Sequence, residues 1–296
     1  MTPTVPTPEE GPLGSSHAEL MAEIAQCFTV PIGRRRNSTG ARAVQRLGDA
    51  PAPPVLVAVA HGSRDPAART AVAALLDLVR ALRPDLDVRL AHLGLNEPLL
   101  DDVLGELHGE VVLVPLLLGR GHHVRVDLPA AVDRHPRIDA AVARPLGPHP
   151  LLAQALQLRL TEVGWDSAEQ VRERHRSARD AVVLAAAGSR DPASAKDAQT
   201  QALLLAARLH VPVVPAYIAT ARPTIKQAVA ALRSRGYRRI AVSSYFTAPG
   251  DFARSAAAAA PWLVAPPLGP QEAMARLVLD RYDAAQALET RLRAAG

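Results

Sequence analysis

The sequence has little cysteine and few aromatic residues, and both shortages limit what the chain can be. Cys27 is the one cysteine among 296 residues, so no intrachain disulfide can form. Phe, Trp and Tyr together make up 3% of the residues, so the core must be built from Leu, Val and Ala. Apolar runs of these residues, broken by turns, are more typical of a layered α/β protein than of an all-β sandwich.

Long apolar runs and dense basic stretches are also missing. No run approaches the roughly 20 residues that a membrane-spanning helix needs, and the first residues show no signal peptide with an apolar centre. The formal net charge of +5, carried mainly by arginine, is compatible with a small anionic ligand. No stretch interleaves Lys and Arg with aromatic residues, which argues against nucleic acid. The sequence therefore predicts a cytoplasmic enzyme without a membrane or nucleic-acid partner.

Three common catalytic signatures are absent as well. The chain has no GxSxG nucleophile elbow, no Walker loop and no GxGxxG at a first strand-to-helix turn. Cys27 lies in the Pro-rich N-terminal part and is a poor nucleophile. Ser63 stands near His61, but this pair is not a triad without a placed base and oxyanion donors.

One seven-residue stretch occurs twice in the chain. Residues 60–66 are Ala-His-Gly-Ser-Arg-Asp-Pro, and residues 186–192 are Ala-Ala-Gly-Ser-Arg-Asp-Pro. Each follows an apolar run that predicts a buried parallel strand and precedes apolar residues at helical spacing. The turn Pro-Leu-Gly-Pro also occurs twice, at 145–148 and 267–270. These repeated motifs occur in the same order at a roughly constant separation, which indicates an internal duplication of about 125 residues.

Strands and helices alternate in both copies, which predicts two similar α/β lobes with parallel sheets and right-handed crossovers. The predicted organisation is a flexible N-terminal extension (1–52), a first lobe (53–164), a connection (165–180) and a second lobe (181–296). The predicted strands are 55–59, 87–93, 111–118, 138–143, 181–186, 211–218, 239–245 and 262–265. The predicted helices are 67–82, 98–107, 126–134, 149–163, 193–209, 223–235, 252–260 and a last one ending near 293.

Histidines follow two strands of the first lobe. His61 comes after the first strand, and His122 and His123 come after the third. The carboxyl ends of parallel strands open on one side of the sheet, so these imidazoles are expected to converge. They can bind a divalent transition metal or transfer protons near neutral pH. Asp127, four residues after His123, either orients an imidazole or favours a helix N-terminus.

The second copy lacks these histidines. Ala187 stands at the place of His61, and alignment of the two loops at their glycines puts Asp251 and Phe252 opposite His122 and His123. Histidines that served packing alone would be needed in both lobes. The difference therefore predicts one site, in the first lobe, and a degenerate second lobe. The alternative is that the histidines are structural and that the shared Arg-Asp dipeptide is a local ion pair and helix cap.

Taken together, these motifs resemble the sirohydrochlorin chelatases of the CbiX/SirB type, which are class II chelatases. The resemblance rests on His-Gly-Ser-Arg after the first strand, on residues 114–118 and on residues 121–129, and it covers about residues 54–292. It implies the chelatase fold, two flavodoxin-like lobes around a cleft. It also implies insertion of Co2+ or Fe2+ into sirohydrochlorin on the routes to cobalamin or sirohaem; small relatives insert Ni2+.

The resemblance also implies roles for individual residues. The family's two histidines fall on His61 and His123, as transient metal ligands and proton acceptors. The Ser and Arg of the family's turn fall on Ser63 and Arg64, as substrate-binding residues. The family's substrate is an anionic polycarboxylate macrocycle, and charge complementarity makes Arg64, Arg120 and Arg125 the expected partners of its carboxylates. Asp127 is expected to orient His123. Many relatives carry an acidic residue in the second strand, where this chain has Ala-His-Leu-Gly at 91–94.

Several alternatives stay open from the sequence. We expect iron rather than cobalt as the inserted metal, although no residue decides between them. No tightly bound cofactor is expected, because the divalent metal is itself a substrate. A non-catalytic tetrapyrrole or metal carrier on the same fold is the main alternative, and a structural or interaction protein is the third. Two lobes in one chain are compatible with either a monomer or a homodimer.

Overall fold

The computed structural model describes residues 52–165, 180–260 and 262–295. The predicted extension (1–52) and connection (165–180) lie almost wholly outside the described residues, so their boundaries stay predictions.

The first lobe alternates strands with helices, as predicted. Its elements are β1 (Val55–Ala60), α1 (Pro66–Leu82), β2 (Val88–His92), α2 (Leu100–Glu106), β3 (Gly109–Pro115), a π-helix (His123–Asp127), α3 (Leu128–Asp133), β4 (Ile138–Val142) and α4 (Pro150–Glu162).

The second lobe repeats this order. Its elements are β5 (Asp180–Ala186), α5 (Pro192–Leu209), β6 (Val213–Tyr217), α6 (Ile225–Ser234), β7 (Arg239–Ser244), α7 (Asp251–Ala258), β8 (Leu263–Val264) and α8 (Glu272–Ala295).

Each lobe contains one four-stranded sheet in which every pair is parallel. The strand orders are β2-β1-β3-β4 and β6-β5-β7-β8. The two orders are the same when the lobes are aligned, so the predicted duplication and the two-lobed parallel α/β fold are confirmed.

Packing joins the lobes through a shared core. The largest apolar cluster contains Leu56 and Val114 from the first sheet, Val182 and Leu184 from the second, and residues of the helices between them. Helices α4 and α5, one from each lobe, pack against each other. Smaller clusters cover the other face of each sheet. Burial of apolar surface therefore fixes the lobes against each other and makes the cleft between them a defined feature.

Several helices and strands begin or end at other residues than predicted. The helices predicted at 98–107 and 223–235 begin two residues later, because the carbonyls of Pro98 and Pro223 accept hydrogen bonds from the last residues of the preceding strands, His92 and Tyr217. The strand predicted at 111–118 ends at Pro115. The helix predicted to begin at 126 is preceded by the π-helix, which already includes His123.

Candidate active site

The turn after β1 is fixed by its own residues. Gly62 has φ +94°, a left-handed conformation that favours glycine, and a Cβ built there would lie 1.9 Å from the carbonyl oxygen of Gly94. The Ser63 N–H donates to the Asn96 side chain at 2.6 Å, and the Ser63 hydroxyl accepts from the Asp65 N–H at 3.1 Å. Asp65 caps α1 by accepting from the Ala67 N–H. These contacts hold His61 at the carboxyl end of β1.

The second copy of the turn uses the same devices. Gly188 has φ +91°, the Ser189 hydroxyl accepts from the Asp191 N–H at 3.1 Å, and Asp191 caps α5. The shared Gly-Ser-Arg-Asp-Pro motif thus forms the strand-to-helix turn in both lobes. His61 is the part of the first copy that the turn itself does not require.

The structure brings His61 and His123 together. Their ring centroids are 4.8 Å apart, with 41° between the ring planes. His61 follows β1, and His123 opens the π-helix, a rare helix form often found at functional sites. The convergence expected from two neighbouring strand ends is therefore present.

Asp127 orients the second histidine. Its Oδ2 lies 2.5 Å from the His123 Nδ1, and its Oδ1 lies 3.6 Å from the Nε2 of the exposed His122. With Asp127 ionised, the Nδ1–H of His123 donates to the carboxylate, which leaves a lone pair on Nε2. His122 is farther from the pair, with a ring-centroid distance of 6.5 Å to His123.

The electrostatic surroundings favour neutral His61. Partial desolvation by the cavity walls lowers the pKa of His61 below its ordinary value of 6.5, and the neighbouring His123 lowers it further. A neutral imidazole can accept a proton or ligate a metal ion, whereas the imidazolium ion can do neither.

We expect the imidazole of His61 in the metal-free protein to titrate below pH 6.5. Replacing His123 by Ala should raise this midpoint, because the repulsion from the second imidazole is lost. Histidine proton resonances followed by NMR over a pH series measure both midpoints. The free energy of unfolding should also fall as the pH drops below 6.5, because the unfolded chain then binds a proton that folded His61 does not.

The control for this titration is His108→Ala, which removes an exposed histidine away from the pair and should leave the His61 midpoint unchanged. A His61 midpoint at or above 6.5 in the wild-type protein would contradict the expected burial effect.

A cavity of about 810 Å³ lies between the lobes at the strand ends. The first lobe contributes His61, Ser63, Arg64 and Arg69 to its walls, and the second lobe contributes a wall of aromatic and charged residues, namely Phe246, Phe252 and Arg254. A cleft at the carboxyl ends of parallel strands is the usual ligand site of open α/β sheets.

A second cavity of about 440 Å³ adjoins the first, and His123 is in its wall. The two cavities share Leu117, Phe246 and Thr247 in their linings. The histidine pair therefore lies where the cavities meet, with His61 facing the larger one.

Comparison with known proteins identifies the family. The family model named CbiX matches residues 55–163 and 181–285, which is most of the chain and follows both lobes. The chain belongs to the CbiX family. The resemblance inferred from the histidine motifs is thereby confirmed.

Two curated relatives match part of this chain. A sirohydrochlorin cobaltochelatase of Priestia megaterium is 23% identical over 205 residues, covering 65% of this chain and 63% of the relative. A sirohydrochlorin ferrochelatase of the same organism is 26% identical over 145 residues, covering 47% of this chain and 51% of the relative. Both matches thus span less than two thirds of the relatives' own length.

Solved structures share the fold. SirB from Bacillus subtilis with Fe3+ has a TM-score of 0.63 at 22% identity, covering 79% of this chain and 95% of that chain. CbiX, described as the terminal enzyme for biosynthesis of siroheme in denitrifying bacteria, has a TM-score of 0.58 at 23% identity, covering 78% and 99%. These likenesses show that this chain has the chelatase fold.

Two arginines predicted to bind substrate are paired with carboxylates of the second lobe, and Arg120 lines the smaller cavity together with His123. Arg120 donates to the carboxylate of buried Asp197 at 2.6 and 3.0 Å, and Arg125 donates to Asp191 at 3.1 Å. Neither arginine is among the described residues that line the larger cavity. Their predicted role in substrate binding stays a prediction.

The repeat supplies a different arginine. Arg254 corresponds to Arg125, and it donates to Asp65 of the first lobe at 2.5 Å, just as Arg125 donates to Asp191 of the second. Alignment of the two loops could have identified Arg254 as a cavity residue. Arg69, on α1, also lines the cavity, but no sequence motif distinguishes it. The Arg120–Asp197 pair has no such counterpart, since Ala71 and Pro249 stand at the matching positions.

In the described part of the chain, no cluster of three or more His, Cys, Asp or Glu side chains is arranged to hold a metal ion. His92, at the end of β2, is buried and lines the larger cavity, with its Nδ1 3.2 Å from the Pro98 carbonyl oxygen.

Among the described helices, none is both long and apolar enough to cross a membrane.

Proposed function

We propose that this chain inserts a divalent metal ion, Fe2+ or Co2+, into sirohydrochlorin. The observation that carries the proposal is the pair His61 and His123, with ring centroids 4.8 Å apart, where two adjoining cavities of about 810 Å³ and 440 Å³ meet between the lobes. Curated relatives of the same family named as sirohydrochlorin cobaltochelatase and ferrochelatase support the substrate.

The histidine pair suits a metal that must leave again. Imidazole nitrogen is a good ligand for first-row transition metals, and a site with few protein ligands keeps positions open for the macrocycle. The Nε2 of His123 is the atom available, because its Nδ1 is engaged by Asp127. The metal therefore binds transiently between His61 and His123 before the pyrrole nitrogens replace the imidazoles.

The same pair accounts for the protons. Insertion of M2+ displaces two pyrrole N–H protons, so the net charge of the macrocycle does not change. Neutral His61 accepts one proton. His123 accepts the other, and the carboxylate of Asp127 stabilises the imidazolium that forms.

Arginines in the cavity wall suit the carboxylates of the macrocycle. Arg64 and Arg69 are exposed on the first lobe, and Arg254 faces them from the second. Guanidinium groups pair with carboxylates in a bidentate geometry. Arg64 and Arg69 thus attract and orient a polyanionic substrate, and Arg254, which is paired with Asp65 and Asp251, adds positive charge to the same cavity.

The test is metallation of purified sirohydrochlorin, followed by its absorbance, with Fe2+, Co2+ and Ni2+ supplied in parallel without oxygen. The chain should accelerate insertion of Fe2+ or Co2+ over the protein-free rate, and we expect Fe2+ to be inserted faster than Co2+. Rates equal to the protein-free control with all three metals would overturn the proposal.

A further inference from the structure

Phe252 is an exposed aromatic residue in the wall of the larger cavity. It is the second residue of α7 and is 47% exposed, while Phe246 beside it is 9% exposed. The ring centroids are 6.4 Å apart, within the range of aromatic contact. Both rings line the cavity that His61 and Arg64 line from the other lobe.

This placement is unusual in a chain so poor in aromatic residues. Phe, Trp and Tyr make up 3% of the sequence, and of its three Phe residues the two that the structure describes are both in this wall. The remaining residues of α7 offer mostly alanine and charged side chains. A half-exposed phenyl ring stabilises the fold little, so its apolar surface is available to a ligand.

The duplication gives Phe252 a partner for comparison. It stands two residues after Gly250, as His123 stands two residues after Gly121. In the first lobe this position carries an imidazole of the histidine pair. In the second lobe it carries a phenyl ring that faces the larger cavity. The two lobes therefore present side chains of different chemistry, an imidazole and a phenyl ring, at equivalent positions.

Resting on the proposed function, we propose that Phe252, supported from behind by Phe246, is the surface on which one face of the sirohydrochlorin macrocycle stacks. A conjugated macrocycle presents a broad flat face, and stacking of flat ligands on aromatic side chains is a major source of affinity. Arg254, two residues along α7 and paired with both Asp65 and Asp251, adds positive charge to the same wall. The second lobe thus positions the macrocycle while the first lobe supplies the metal.

The test is equilibrium binding of metal-free sirohydrochlorin, measured by its absorbance change, together with steady-state metallation. Phe252→Ala should weaken binding about tenfold and raise KM by a similar factor with kcat unchanged. Phe252→Tyr keeps the ring and should bind within about twofold of wild type. Leu292→Ala, which removes another exposed apolar side chain on α8, is the control and should bind as wild type.

The outcomes separate this inference from the function on which it rests. Equal binding by wild type and Phe252→Ala would overturn the stacking role while leaving the chelatase proposal intact. Weakening by Phe252→Tyr as large as that by Phe252→Ala would also overturn it. No binding of sirohydrochlorin by the wild-type chain would overturn the proposed function itself. Thermal melting of each variant checks the fold, which a half-exposed ring should affect little.

Discussion

His61→Ala is expected to lower the kcat of metal insertion by about 10²–10⁴-fold, the usual contribution of a positioned acid–base group. The imidazole is lost both as a metal ligand and as an acceptor of one pyrrole proton. The fold should survive, because the turn is held by Gly62, Ser63 and Asp65 rather than by the imidazole. Initial rates of sirohydrochlorin metallation, with melting temperatures alongside, measure the effect.

Matched variants make this result specific. His123→Ala should cause a similar loss, and the double variant should be little worse than either single one, because the two imidazoles act as a unit. His108→Ala removes an exposed histidine elsewhere and should retain full activity. Wild-type rates in both His61→Ala and His123→Ala would remove these residues from the reaction.

Gly62→Ala should have the largest effect on stability, lowering the free energy of unfolding by about 3 kcal/mol or more. The added Cβ would lie 1.9 Å from the Gly94 carbonyl oxygen, and the backbone at φ +94° is already unfavourable for alanine. The Gly94 carbonyl cannot easily move, since it accepts a hydrogen bond from the Asn96 N–H at 2.8 Å. Urea unfolding followed by circular dichroism measures the loss.

Two other glycines provide controls with opposite expectations. Gly188→Ala meets the Ala219 carbonyl oxygen at 1.9 Å with φ +91°, so it should destabilise the protein to a similar extent although it lies in the second lobe. Gly105→Ala, within α2 and with no contact closer than 3.8 Å, should stabilise by about 0.5–1 kcal/mol. Unchanged stability of Gly62→Ala would show that the turn adapts and does not fix His61.

The sequence was sufficient for the fold and for the histidine pair. Repetition of Gly-Ser-Arg-Asp-Pro and alternation of apolar runs reflect local turn chemistry and strand burial, and both operate within short segments. Convergence of His61 and His123 followed from the geometry of neighbouring parallel strands. The repeated turn, the buried strands and the convergence of strand ends can therefore all be inferred from the order of residues along the chain.

Other features depend on how distant segments meet. Residues His123–Asp127 form a π-helix, in which the His123 side chain contacts that of Asp127. The spacing of apolar residues in the sequence does not distinguish a π-helix from an α-helix. The pairing of Arg120 with Asp197 is set by docking of the lobes through their shared core. Placement of Phe252 in the wall of the cavity follows from the same docking, so the sequence showed only that a histidine was missing there.

The most direct test of the central claim is the number of products formed per chain. Wild-type protein is mixed with a large excess of sirohydrochlorin and Fe2+ or Co2+, and metallated product is counted by absorbance over the protein-free background. An enzyme that uses the His61–His123 pair should form many products per chain, and His61→Ala should form few at the same time point. Product that stops at one per wild-type chain would contradict catalysis and indicate a carrier.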